Sequence, residues 1–144
     1  MKLFFFPLQR LLGLREFREK EAELALGRAN SARDAIRIEL EGIARERFAS
    51  SASRTGGLPI QDLLVIERYI TRLDTKKETL LNDLAAAELV VEQMREKYIE
   101  ATRDRQVISK LKEKKEAVWH KENLDAEAAV LDDISNSRQN IEPY

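Results

Sequence analysis

Cysteine is absent from the 144 residues and histidine occurs once. Without thiols the chain has no disulfide, no thiolate zinc site and no cysteine nucleophile. One imidazole leaves little for a metal centre or an acid–base pair. Glycine and proline are scarce as well, at 5 and 3, so few positions break a helix. Aromatic residues make up 6% while charged residues reach 35%, above the roughly 25% of ordinary domains. So much polar surface argues against a compact core and for solvated helices with a narrow apolar seam. Charge of one sign is lacking too: 25 basic and 26 acidic side chains leave −1, and no global field draws the chain to nucleic acid or anionic lipid. The apolar stretch at residues 3–8 stops at Gln9 and Arg10, too short for a secretory signal core or a membrane span. A soluble, cytoplasmic chain is expected.

What is present falls into two helical stretches. Ser50, Ser51, Ser53, Thr55, Gly56 and Gly57 supply loop chemistry, because glycine relieves φ restrictions and serine competes for backbone hydrogen bonds. Pro59 suits the start of a new helix, where its missing N–H costs nothing. The expectation is a single all-α coiled-coil domain over 1–144, with a first helix at about 7–48, a loop at about 49–59, a second helix at about 60–135 and a tail at 136–144. With Leu63 as position a, the a slots of the second helix are Leu63, Ile70, Lys77, Leu84, Val91 and Tyr98. The d slots are Ile66, Leu73, Leu80, Ala87, Met94 and Ala101. All but Lys77 are apolar or aromatic, a period that marks a coiled coil. The first helix carries Leu8, Arg15, Ala22, Ala29, Ile36 and Ile43 at a, with Leu11, Ala25 and Ala32 at d.

A short connection between two seams predicts a long antiparallel hairpin whose second helix is the longer. Folding about Arg54 puts residue 8 opposite residue 100 or so and leaves the second helix projecting some 30 residues. There the heptad weakens: Arg105, Lys112, Lys115 and Glu122 take seam positions among Ile108, Trp119, Ala126 and Ala129. Residues 95–121 hold nine basic against five acidic side chains, and residues 122–144 one basic against six acidic. The first 20 residues hold five basic against two acidic. An unpaired end with basic and apolar groups suits docking on an acidic protein surface.

Little else suggests chemistry. His120 beside Trp119 and Glu122 reads as a solvated helix position. Thr55-Gly56-Gly57 lacks the Lys-Ser/Thr of a phosphate loop, and Asp132–Asp133 lacks a pocket. No catalytic, cofactor or metal site is expected, and the chain does not read as an enzyme. Phe4, Phe5, Phe6 and Leu8 form either a staple onto the second helix near residues 99–103 or an exposed anchor for a partner.

The run Phe4-x-Phe6-x-Leu8-Gln9-Arg10-Leu11-Leu12-x-Leu14-Arg15-Glu16 resembles the opening of FliJ-type flagellar export proteins. Arg95-x-x-Tyr98-x-x-Ala101-x-Arg103-Asp104, Leu111-Lys112-Glu113-Lys114-Lys115 and Leu131-Asp132-Asp133-Ile134 are similar to later parts of that family. The likeness includes the Gly-containing break and the Tyr69-Ile70-x-x-Leu73 entry to the second helix. Phe5 and Pro7 stand where the family often has a basic residue. The resemblance implies a non-catalytic antiparallel coiled coil like the central stalk of a rotary ATPase. It also implies a cytoplasmic protein peripherally associated with the inner face of the cell membrane. Its implied partners are the hexameric export ATPase, a membrane export gate protein and export chaperones, with no nucleic acid and no membrane insertion. Carried over by position, the ATPase-facing residues are Phe4, Leu8, Leu12, Arg15, Tyr98, Arg105, Ile108 and Leu111. The gate-facing residues are Phe48, Tyr69 and Leu73. Such a stalk is a monomer on its own. The rival readings are a generic or dimerising coiled coil and an RNA-binding helical arm that uses Lys112 and Lys115.

Overall fold

The computed structural model describes residues 3–140. Among them stand two helices and no strand: α1 (Gln9–Ala52) and the longer α2 (Ile60–Gln139). The chain is an all-α antiparallel helical hairpin. Each helix contributes to two compact units, one formed by Met1–Glu19 with Ala101–Tyr144 and the other by Lys20–Glu100.

The helix ends follow local chemistry and differ from the sequence expectation by a turn. α1 starts at Gln9, where the backbone N–H bonds the Phe6 carbonyl at 3.1 Å. It runs on through Ala49, Ser50, Ser51 and Ala52, because two serines between alanines do not break a helix that is already propagating. Ser53 and Thr55 hydroxyls then take the Ala49 and Ala52 carbonyls at 3.0 and 2.8 Å, which satisfies the open carbonyl end. Gly56 and Gly57 follow with φ of 96° and 52°, a left-handed turn that a β-carbon would strain. The Pro59 carbonyl accepts from Asp62 and Leu63 N–H at 3.0 and 3.1 Å, and Asp62 places a carboxylate in the positive first turn. α2 continues to Gln139, past residue 135, since nothing in Asn136-Ser137-Arg138-Gln139 stops a helix.

In the Lys20–Glu100 unit the apolar slots of α2 from Leu63 to Tyr98 are buried or half-buried and Lys77 is exposed. Ile43 packs with Leu73 and Leu80, flanked by Ile36 and Leu40. Ala29, Ile70 and Val91 are buried along the same seam. Each full aliphatic burial contributes about 1.5–3 kcal/mol. Arg54–Glu67, Arg47–Asp74 and Arg37–Glu88 pair across the helices at 3.0, 2.7 and 3.3 Å. Numbers fall along α1 as they rise along α2, so the pairing is antiparallel.

Those pairs correct the alignment that a fold about Arg54 implies. Arg54 lies just beyond α1 yet meets Glu67, two turns into α2. The first turns of α2 therefore run ahead of the end of α1, and the loop doubles back along them. In the other unit Leu12 accordingly packs on Ile108, further along α2 than a fold about Arg54 allows. From Leu124 onward every described residue is exposed.

Candidate functional site

Pro7, with φ fixed by its ring, precedes α1 and leaves residues 3–6 outside the helix. Side chains on a non-helical, extended stretch alternate sides. Phe6 is buried and Phe4 half-buried, while Leu3 and Phe5 are 94% and 80% exposed. Phe6, Leu12 and Ile108 form a core cluster flanked by Phe4, Leu11 and Leu111. The Phe4 ring lies 5.9 Å from that of Trp119, tilted at 56°, and Trp119 meets His120 edge-on at 4.8 Å. The staple therefore forms, but on residues 108–119 rather than 99–103.

Between this segment and α2 lies an open groove of about 570 Å³. Leu3, Phe4, Phe5 and Pro7 form one wall; Lys114, Lys115, Val118, Trp119 and Glu122 form the other. Two ammonium groups beside aromatic faces favour a partner that brings carboxylates and an apolar side chain. Leu8, at 38% exposed, adjoins it in sequence.

The other sequence-derived residues of this end make contacts within the chain. Leu12 and Ile108 are buried in the cluster and Leu111 packs against it. Arg15 donates from Nη1 to the Asp104 carbonyl at 2.8 Å. Arg105 pairs with Glu19 through Nε and donates from Nη1 to Ser109 Oγ at 3.4 Å. These residues fix the groove without lining it. Tyr98 is half-buried and belongs to the Lys20–Glu100 unit.

Within that second unit Phe48 is 78% exposed. It borders a groove of about 410 Å³ lined by Leu40, Ile43, Ala44, Arg47 and Ser51 from α1 and by Lys77 and Leu81 from α2. Lys77 was the one charged slot in an otherwise apolar heptad, and that interruption is the sequence signal for this groove. Nearby, the Tyr69 hydroxyl donates to Glu46 Oε2 at 2.8 Å, and this bond to a carboxylate raises the phenol pKa above its ordinary value. Arg47 Nε donates to Asp74 Oδ1 at 2.7 Å. That bond holds the Asp74 carboxyl below the usual range and raises the Arg47 pKa. Leu73 is buried against Ile43, so it supports this surface from beneath.

Among the described residues no cluster of three or more histidine, cysteine or carboxylate side chains is arranged to hold a metal. No helix among them is long and apolar enough to cross a membrane. A family model described as "Flagellar FliJ protein" matches residues 4–140. No curated protein and no solved structure matches the chain.

Proposed function

The chain belongs to the FliJ family of flagellar export components, and on that premise we propose that it acts as a non-catalytic stalk. In this reading it binds the hexameric export ATPase, promotes ATP turnover and links the ring to the membrane export gate and to export chaperones. It works in the cytoplasm, held peripherally at the membrane through the gate.

The observation that carries the reading is the aromatic and basic groove around Phe5, Lys115 and Trp119. Leu8, Phe4 and the exposed Phe5 touch the ATPase, and Lys115 meets its carboxylates. Leu12, Arg15, Arg105, Ile108 and Leu111 hold that surface in shape. The gate takes Phe48 and Tyr69 with the groove wall of Leu40, Ala44 and Leu81, and Leu73 braces it from the seam.

ATP turnover by the cognate ring, measured with and without this protein, tests the proposal. The wild-type chain raises turnover. Phe5→Ser combined with Lys115→Glu removes most of the stimulation while circular dichroism stays unchanged. Phe48→Ala keeps the stimulation and weakens capture of the soluble part of the gate protein. If the wild-type chain neither stimulates nor co-purifies with the ring, the reading fails.

A further inference from the structure

From Leu124 to the end of α2 at Gln139 every residue is exposed, yet the segment is not polar all round. Leu124 and Leu131 are 65% and 64% exposed. They fall at successive f positions of the register that starts at Leu63. Ala128 lies at c, one helical turn from each, so the three form one apolar line. An open hollow of about 490 Å³ adjoins it, lined by Asn123, Ala126, Glu127, Val130 and Leu131. The short side chain of Ala126 leaves that room beside the larger Val130 and Leu131. Soluble helices rarely set leucines at heptad spacing on a face that nothing covers.

Carboxylates edge the line on both sides, because around a helix the b and g positions flank the face made by f and c. Asp125 and Asp132 occupy g and Glu127 occupies b. Glu122 and Asp133 lie on the opposite side of the helix, and Lys121 and Arg138 stand at the two ends. Among the described residues none of these seven forms an ion pair. Five acidic against two basic side chains leave residues 121–138 at −3. That sign repels nucleic-acid phosphates and anionic lipid headgroups. The complement of a leucine line edged by carboxylates is an apolar face edged by cations. A single helix face with one shallow hollow accepts such a face from another helix, ridges into grooves.

We propose that this segment docks a cationic amphipathic helix of another protein. The partner lays apolar side chains along Leu124, Ala128 and Leu131 and sends one into the hollow beside Ala126. Its lysines or arginines reach Asp125 and Asp132 on one edge and Glu127 on the other. Covering the line supplies the apolar contribution, and the carboxylates fix the sign and orientation of what binds. The inference rests on the end of α2 alone and stands independently of the export reading.

The probe is a labelled synthetic helical peptide with leucines along one face and lysines on both flanks. A counterpart carries glutamates in place of the lysines. Fluorescence anisotropy with the full chain is expected to show binding of the lysine peptide, weakened by salt, and none of the glutamate peptide. Asp125→Asn, Glu127→Gln and Asp132→Asn together weaken that binding by roughly tenfold or more. Leu124→Gln with Leu131→Gln weakens it comparably through lost apolar contact. Glu78→Gln, Glu96→Gln and Glu100→Gln together remove as much charge from exposed positions elsewhere on α2 and leave binding unchanged. Circular dichroism of each variant matches wild type, since the substituted side chains are exposed and glutamine suits a helix. A lysine peptide that does not bind overturns the proposal. So does an equal loss in the three-glutamate control, or binding indifferent to the two leucines. Self-association in sedimentation equilibrium that the leucine variant abolishes would overturn it in favour of a second copy.

Discussion

Asp74 and Tyr69 sit in the same unit and respond to opposite ends of the pH scale. Asp74 is ionised while it accepts from Arg47, and its pKa is lowered by that bond. A depressed carboxyl contributes stability that is whole above its unfolded pKa, about 3.9, and is lost as pH falls through the folded value. Tyr69 is neutral while it donates to Glu46, and its pKa is raised. Its contribution is whole below about 10 and is lost as pH rises through the folded value. Both groups are exposed, so each effect is small. Thermal melts compared between wild type and Asp74→Asn should differ by a constant amount between neutral and mildly acidic pH. That difference should shrink below about pH 4. The same comparison with Tyr69→Phe should be flat up to about pH 10 and shrink beyond it. A gap for Asp74→Asn that widens in acid would contradict the assigned Arg47 bond.

At the scale of the helix, α1 carries Gly13, Gly27 and Gly42, whose backbone is helical although glycine is a poor helix former. An added β-carbon at Gly27 would meet nothing within 4 Å, and the residue is exposed. Gly27→Ala should therefore raise the free energy of unfolding by about 0.8–1 kcal/mol, read as a higher midpoint in urea. No gain would mean that α1 is already distorted there. The seam that offsets these glycines was legible in the sequence: every apolar slot from Leu63 to Tyr98 loses exposure and Lys77 keeps it. Which residue faces which was not legible. Register across a hairpin depends on the path of the loop, which here has two left-handed glycines, Gly56 and Gly57, and sets Arg54 on Glu67. The N-terminal phenylalanines likewise meet Ile108 and Trp119 rather than residues near 100. The basic character of that end was plain from charge counts. The heptad already placed Leu73 and Ile108 on the seam, whereas the family motif offered them, with Leu12, as contacts, because an apolar residue looks the same in a motif whether it packs inward or outward.

For the molecule as a whole, the described residues split by what they do for stability. Residues up to Asn123 supply every buried side chain, and residues 124–140 supply none. A chain ending at Asn123 should then melt at the same temperature as the full chain in dilute solution, because no buried tertiary contact is removed. Scanning calorimetry makes the comparison. A lower midpoint for the shortened chain in dilute solution would show that the end of α2 stabilises the hairpin itself. An unchanged midpoint fits a hairpin whose seam is complete without the last part of α2, since every buried side chain lies before residue 124.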